Sequence, residues 1–199
     1  MRRWNTIVSL ALALSTGVVG AASAETLTFK VDGSGGSSIQ FVSDAPLEKF
    51  TGKTTKLSGD IKVDPDKAEQ GKGDIRADAG SIKTNVALRD EHLAGPNWLD
   101  AKQFPEAKFV ITKITGASKL KPNDLTEVQV SGKFTLHGVT KDVTAPAKVR
   151  YTPGAKAGLR IQSSFTVHLE DYKVEIPKIV ALKVSPDIVV NVDLKATAG

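Results

Sequence analysis

The chain has 199 residues with no cysteine, one methionine, three histidines and a formal charge of +5. The absence of thiols rules out disulfides, thiolate metal sites, a cysteine nucleophile and a lipid-modified cysteine anchor. With 40% of residues hydrophobic and 25% charged, the composition is that of a folded globular domain.

The first element is a leader. Arg2 and Arg3 form a charged start, Ile7 to Val19 is mostly apolar, and Ala22-Ser23-Ala24 is a small-residue cleavage site before Glu25. The apolar run is too short for a membrane span. Trp4-Asn5-Thr6 lacks the hydrophobic context of a twin-arginine signal, so general secretion is the favoured route. Residues 1–24 are therefore read as a signal peptide and the mature chain as periplasmic, without a stable membrane anchor. Residues 25–199 form one domain of 175 residues, with 25 basic against 22 acidic groups and a net charge of +3.

From there, apolar and polar residues alternate with period two. Leu27, Phe29 and Val31 form the first such run, and Ile39 and Phe41 follow a Gly/Ser turn. Leu57 to Val63 comes next, then Ile75 and Ala77 after the polar loop Asp64 to Gly73. Val128 to Leu136 turns through His137-Gly138 into Val143 to Tyr151; Leu159 to Leu169 and Ile188 to Leu194 complete the series. About eight strands with one apolar face each predict an antiparallel meander, and a sheet of that size closes into a barrel to bury its apolar faces and lose its edges. The inward set mixes large residues with Gly59, Gly132, Ala77, Ala145, Ala147 and Ser163. The pattern alone leaves open whether these small residues border a tunnel or fit the taper of a filled barrel.

Two segments break the alternation. Within Ser81 to Phe109, Thr84 or Asn85 is placed to cap a short helix through about Leu93, ended by Gly95-Pro96, with a further helical turn over Asn97 to Ala101. Asp171 to Lys183 is irregular, since Pro177 and Pro186 prevent continuous strand pairing.

Several motifs dissolve on inspection. Thr51-Gly52-Lys53-Thr54 mimics the end of a phosphate loop, but Leu47 stands where the first glycine belongs and a strand follows. Asp64, Asp66, Glu69 and Asp74 lack the ligand and glycine positions of a calcium loop. His168 falls on a polar face and His137 in a turn, and Glu170 and Asp171 point to opposite faces. No residue set is nominated as catalytic or as a metal site. His92 shares a helix face with Leu88 and adjoins Arg89-Asp90, a cluster better suited to fixing the helix on the barrel than to touching a ligand. Dispersed lysines without interleaved aromatics argue against nucleic acid, while leaving room for transient contact with an anionic membrane surface.

Ser38-Ile39-Gln40-Phe41, Gly52, Gly59 to Asp64, Ser81-Ile82-x-Thr84, Arg89-Asp90-x-His92-Leu93, Trp98-Leu99-Asp100, Phe104-Pro105-x-x-x-Phe109 and Gly132-x-x-Thr135-Leu136-His137-Gly138-Val139-Thr140 together resemble the YceI-like family of exported lipid- and polyisoprenoid-binding proteins. The resemblance runs over essentially the whole mature chain. It implies an all-β fold, an extended antiparallel eight-stranded lipocalin-like β-barrel with a short helix, whose apolar channel holds an isoprenoid or acyl lipid without cofactor, metal or catalysis. Ile39, Phe41, Phe50, Val130, Phe134, Ile161, Phe165 and Val190 are then expected to line the channel, with Arg89 or His92 near its polar end. Phe134→Arg is expected to weaken lipid binding while the domain still folds. Many members carry an arginine and a glycine around an aromatic residue where this chain reads Glu170-Asp171-Tyr172-Lys173-Val174, with Lys173 in place of the glycine. A stress-response or protein-interaction module with a filled barrel, acting through its outer surface, is the second reading. The sequence leaves the oligomeric state open, a homodimer included.

Overall fold

The computed structural model describes residues 25–199, so the leader assigned to residues 1–24 lies outside the described residues. Ten strands follow one another: β1 (Leu27–Asp32), β2 (Ser38–Asp44), β3 (Lys49–Thr54), β4 (Leu57–Val63), β5 (Lys72–Asp78), β6 (Glu106–Thr115), β7 (Leu125–Leu136), β8 (Val139–Thr152), β9 (Gly158–His168) and β10 (Asp187–Ala198). One α-helix, α1 (Ala87–Ala94), lies between β5 and β6. Every pairing is antiparallel, and the ladder β4-β5-β6-β7-β8-β9-β10 returns to β4 through β1, closing a barrel.

Ten segments fill eight positions around that barrel. β1 and β2 run in the same direction along one edge of β10, β1 beside its last residues (Phe29 opposite Ala198) and β2 beside its first half (Ile39 opposite Val192). Together they are one strand, broken by a 3-10 turn at Gly33–Gly35. β3 and β4 are likewise one strand broken at Thr55 and Lys56, β3 pairing with β2 and β4 with β1. The expected number of strands therefore holds for barrel positions, although alternation did not disclose β3 or β6. In β6 the alternating Ala107, Phe109 and Ile111 are followed by a register shift between Ile111 and Lys113, which disguises the period.

The break between β1 and β2 leaves the Lys195 backbone of β10 without a strand partner, and Ser37 supplies one. Its fully buried hydroxyl donates to the Lys195 carbonyl at 3.0 Å and accepts from the Lys195 N–H at 2.9 Å. β7 turns into β8 through His137 and Gly138, both at positive φ (49° and 73°), the geometry of a two-residue type I′ hairpin turn. The ring of Phe104 packs edge-on against His137, centroids 4.9 Å apart.

Inside, the core divides by height. Phe29, Val31, Ile61, Leu159 and Leu194 fill the lower third, and Leu99, Phe134, Val167, Leu169, Tyr172, Val174 and Ile188 pack at the upper end. Gly59 and Gly132, counted among the small inward residues, allow close approach of neighbouring strands. A Cβ at Gly59 would strike the Asp74 carbonyl, and one at Gly132 the Val110 carbonyl and the Phe109 ring. Ala145 and Ala147 do face the interior.

Replacing the buried Ser37 by alanine leaves the N–H and C=O of Lys195 unpaired at the seam. The expected loss is about 1–3 kcal/mol of stability, read as a lower urea midpoint at unchanged slope.

Candidate functional site

The barrel is hollow. A cavity of about 870 Å³ runs along its axis, lined by residues of the nine strands β2 to β10. Ile39, Phe41, Ile75, Phe109, Ile111, Val130, Ile161, Phe165, Val190 and Val192 point into it and are only half-buried, because they border empty space rather than one another. In a filled barrel these inward side chains would be fully covered.

The lower end is shut. The turn after β4 and the loop after β6 exchange backbone hydrogen bonds, Ala68 N–H to Ser118 and Leu120 N–H to Pro65, both 2.7 Å. Ala68 and Leu120 are buried and form the floor. The upper end is open between three segments: the β2–β3 hairpin, α1, and the irregular stretch 177–184. The exposed lining residues, Val86, Leu88, His92, Pro177, Ile179 and Lys183, all belong to α1, its lead-in or that stretch.

Polar side chains of the lining gather at this mouth: Glu48, Arg89, His92 and Lys183. Within the lumen, the Ser163 hydroxyl donates to the Pro146 carbonyl at 2.8 Å, and Thr54 shares a hydrogen bond of 2.6 Å with Ser81. The lumen thus offers a guest almost nothing but apolar contact. The eight residues expected to line a channel, from Ile39 and Phe41 of β2 to Val190 of β10, all border this cavity, and Arg89 and His92 stand at its mouth.

Arg89 is more committed than the sequence disclosed. Its guanidinium pairs with Glu48 at 2.5 Å, lies 4.2 Å from the centre of the Phe50 ring, and its Nε donates to Thr84 at 3.1 Å. Glu48 was not singled out by any local pattern, since only folding brings the β2–β3 hairpin to α1. Neither Thr84 nor Asn85 caps the helix in the expected way: the cap position is Val86, without a side-chain bond. Instead the Asp90 carboxylate accepts from the Thr84 N–H and hydroxyl, each at 2.7 Å, reaching back from inside the helix. Asn85 takes a positive φ of 63° to make that reversal. Asn97 to Ala101 forms turns, not a helical turn. The hydrogen bonds from Thr84, side chain first, hold the Asp90 carboxyl below the ordinary aspartate range.

Phe134 is the lining residue that departs from expectation. It is 8% exposed, with ring centroids 5.4 Å from Phe165 and 5.5 Å from Tyr172. Arginine there would breach the upper core, so Phe134→Arg tests folding before it tests binding. Tyr172 anchors the irregular segment, and burial pushes its phenol pKa up. The residue after it, Lys173, has φ of 58°, the left-handed conformation that glycine adopts without steric cost.

The discarded motifs have structural employment. Gly52 lies within β3, where a Cβ would strike the Phe41 ring. Asp64 accepts from the Asp66 N–H at 2.9 Å, and Asp66 pairs with Lys119 at 3.2 Å. Among the described residues no group of histidines and carboxylates is arranged to hold a metal ion. His168 lies outside on β9, 2.7 Å from Asp187, whose hydrogen bond raises the histidine pKa.

A closed eight-position meander barrel, hollow, apolar and open at one end beside a short helix, defines a lipocalin-like binding fold. The YceI-like domain model matches residues 29–196, and the chain belongs to that family. A UPF0312 protein of Pseudomonas putida strain W619 is 31% identical over 188 residues, covering 91% of this chain and 94% of its own. Another from Pseudomonas fluorescens is 34% identical over 139 residues, 69% and 70% of the two chains. Among solved structures, Burkholderia cenocepacia BcnA superposes with a TM-score of 0.69 at 26% identity, covering 83% of this chain and 98% of that one. A polyisoprenoid binding domain from Saccharophagus degradans gives 0.71 at 20% identity, covering 87% and 99%, and shares the fold.

Two outcomes follow from the mouth. Thr84→Val removes the side-chain hydrogen bond to Asp90 and is expected to move that carboxyl back up toward its ordinary pKa, visible by NMR titration. The stabilisation in question is present above the ordinary aspartate pKa and disappears as pH falls through the lowered one. Lys173→Gly relieves the left-handed residue and should raise stability by about 0.5–1 kcal/mol, measured by chemical unfolding.

Proposed function

We propose that this protein binds one amphiphilic lipid, a polyisoprenoid, isoprenoid quinone or long acyl derivative, with its tail in the lumen and its head at the mouth, and carries or stores it in the periplasm without catalysis. The observation that carries the reading is the hollow apolar lumen, whose inward side chains remain half-uncovered. Water gains little there, since a buried water needs two to four polar partners and the lumen's two hydroxyls are already bonded. A hydrocarbon tail gains about 0.8 kcal/mol per buried CH₂.

The floor at Ala68 and Leu120 and the polar groups at the opposite end set the orientation. A charged or hydrogen-bonding head placed among Arg89, Glu48, His92 and Lys183 keeps its solvation, whereas the same head at the floor meets only apolar carbon. The Saccharophagus domain, of the same fold and described as polyisoprenoid binding, is in keeping with the ligand class. Non-catalytic action is supported by the lining itself. Its hydroxyl on β9, Ser163, is bonded to a backbone carbonyl, and its histidine, His92, sits on α1 at the mouth. The leader pattern in residues 1–24 supports the compartment. The filled-barrel alternative, acting through the outer face, requires a lumen without room for a guest.

Native mass spectrometry on protein purified without detergent tests the reading. A co-purifying isoprenoid or acyl species at one per chain is the expected result. A clean apo mass that persists after incubation with polyprenols and quinones would overturn it. Val130→Trp places an indole across the lumen at mid-height of β7 and is expected to weaken a long polyprenol by about tenfold or more, the equivalent of two buried CH₂ groups. Its thermal unfolding is the control for the fold.

A further inference from the structure

We propose that the rim of the mouth is a membrane-docking surface that seats on an anionic phospholipid bilayer, so that lipid passes between bilayer and lumen without crossing water. The proposal rests on the carrier reading and adds its partner.

Seven large hydrophobic residues are exposed among the described residues, and five stand around this one opening: Leu47 (67%), Val86 (47%), Leu88 (61%), Ile179 (92%) and Leu182 (60%). They come from three separate segments. Val86, Leu88 and Ile179 also line the lumen, so the apolar rim is continuous with the apolar interior. The Leu47 N–H donates to the Leu182 carbonyl at 3.0 Å, joining the hairpin tip to the 177–184 stretch as one edge. Water is the costliest neighbour for such a ring, and a bilayer surface covers it while opening the lumen to hydrocarbon.

Charge selects the occupant. The stretch 176–184 carries Lys178 and Lys183 and no acidic residue. Of the carboxylates on the other two segments, Asp44 pairs with Lys49, Glu48 with Arg89 and Asp90 with Lys83. Among the described residues this leaves Glu91 of α1 as the one carboxylate there without an ion pair, against the two lysines of 176–184. Lysines beside an apolar rim suit anionic headgroups, and they repel a second copy of the same rim. The opposite end of the barrel is floored and offers no opening.

The test is co-sedimentation with vesicles of phosphatidylcholine, with and without phosphatidylglycerol. The wild-type chain is expected to pellet with the mixed vesicles, less with phosphatidylcholine alone, and less again at high salt. Leu47→Asp combined with Leu182→Asp alters side chains outside the lumen lining and is expected to lower vesicle partitioning about tenfold or more. Leu125→Asp, an exposed leucine at the start of β7 and the far end of the barrel, should leave partitioning unchanged. Uptake of geranylgeraniol by the double variant, read by native mass spectrometry, should match the wild type. Failure of the wild type to bind either vesicle, or equal binding by the double variant, would overturn the docking surface. So would a concentration-dependent dimer that the double variant abolishes in the absence of vesicle binding. Loss of geranylgeraniol uptake in every protein, with vesicle binding intact, would remove the carrier reading and leave the docking surface in place.

Discussion

The hydroxyl of Ser37 bonds both backbone groups of Lys195 at the point where the edge of β10 passes from one partner strand to another. β10 is paired to β9 from Asp187 to Thr197, and its other edge is shared between β2 and β1. Closure needs both, because an unclosed sheet of this size would present two long edges for pairing with other chains. A single unbroken strand opposite β10 would have joined the barrel more simply. The break separates β2 and β3 from β1 and β4, and the β2–β3 hairpin forms one wall of the mouth. Seam and mouth thus share one interrupted strand, broken over the five residues 33–37. The closing contact links residues 158 positions apart, so the last strand must arrive before the barrel exists, a slow kind of topology.

Once the ring is closed, its circumference decides what the interior can be. Eight positions give an interior that side chains can just fill or that can hold one small ligand. Which of the two holds depends on residue size at mid-height. There the chain places Val130, Ala145, Ala147, Ser163 and Val192, none large enough to reach across. The aromatic rings Phe134 and Phe165 are packed against each other near the top, with Phe165 also near Phe109 at 6.5 Å. The large residues brace walls and ends, and the middle is left empty. A species that binds this folded form and not the unfolded chain adds to its stability by mass action, so occupancy and folding are linked here.

The period-two alternation of β7, β8, β9 and β10 survives intact in the structure because each has one face on the lumen and one in solvent. That same alternation named the lumen residues, since most inward positions of β7 to β10 border the cavity. What it could not separate is Phe134, which borders the lumen and is also packed into the upper core, from Val130, which borders the lumen alone; both follow the same pattern, and only the arrival of Tyr172 from the segment after β9 distinguishes them. β6 was hidden by its register shift, and β3 by Gly52 and four polar residues in a six-residue strand. The helix was legible from Gly95-Pro96 at its end, but its start is organised by a carboxylate six residues downstream of Thr84, a link that capping rules do not anticipate. Lys173 shows the converse: the family resemblance marks a glycine position, and the positive φ supplies the reason.

The polar residues at the mouth illustrate how one cluster serves two ends. No residue of α1 is fully buried, and half-buried Leu93, packed against the upper core, is its apolar anchor; the rest of its attachment is polar. That polar part runs through Arg89 to Glu48 and Phe50, and through Asp90 to Thr84 and Lys83. Exposed ion pairs contribute at most about 1 kcal/mol, which suffices to orient eight residues but not to clamp them. The aromatic ring beneath Arg89 matters for this reason, because it gives the guanidinium a fixed seat that salt screens less than a bare pair. Arg89 therefore fixes the helix and, by the same placement, sets a cation at the boundary between lumen and solvent. A residue in that position does not have to choose between structural and ligand-facing roles, and the cluster's first reading as a helix fastener and its position at the polar end describe the same geometry.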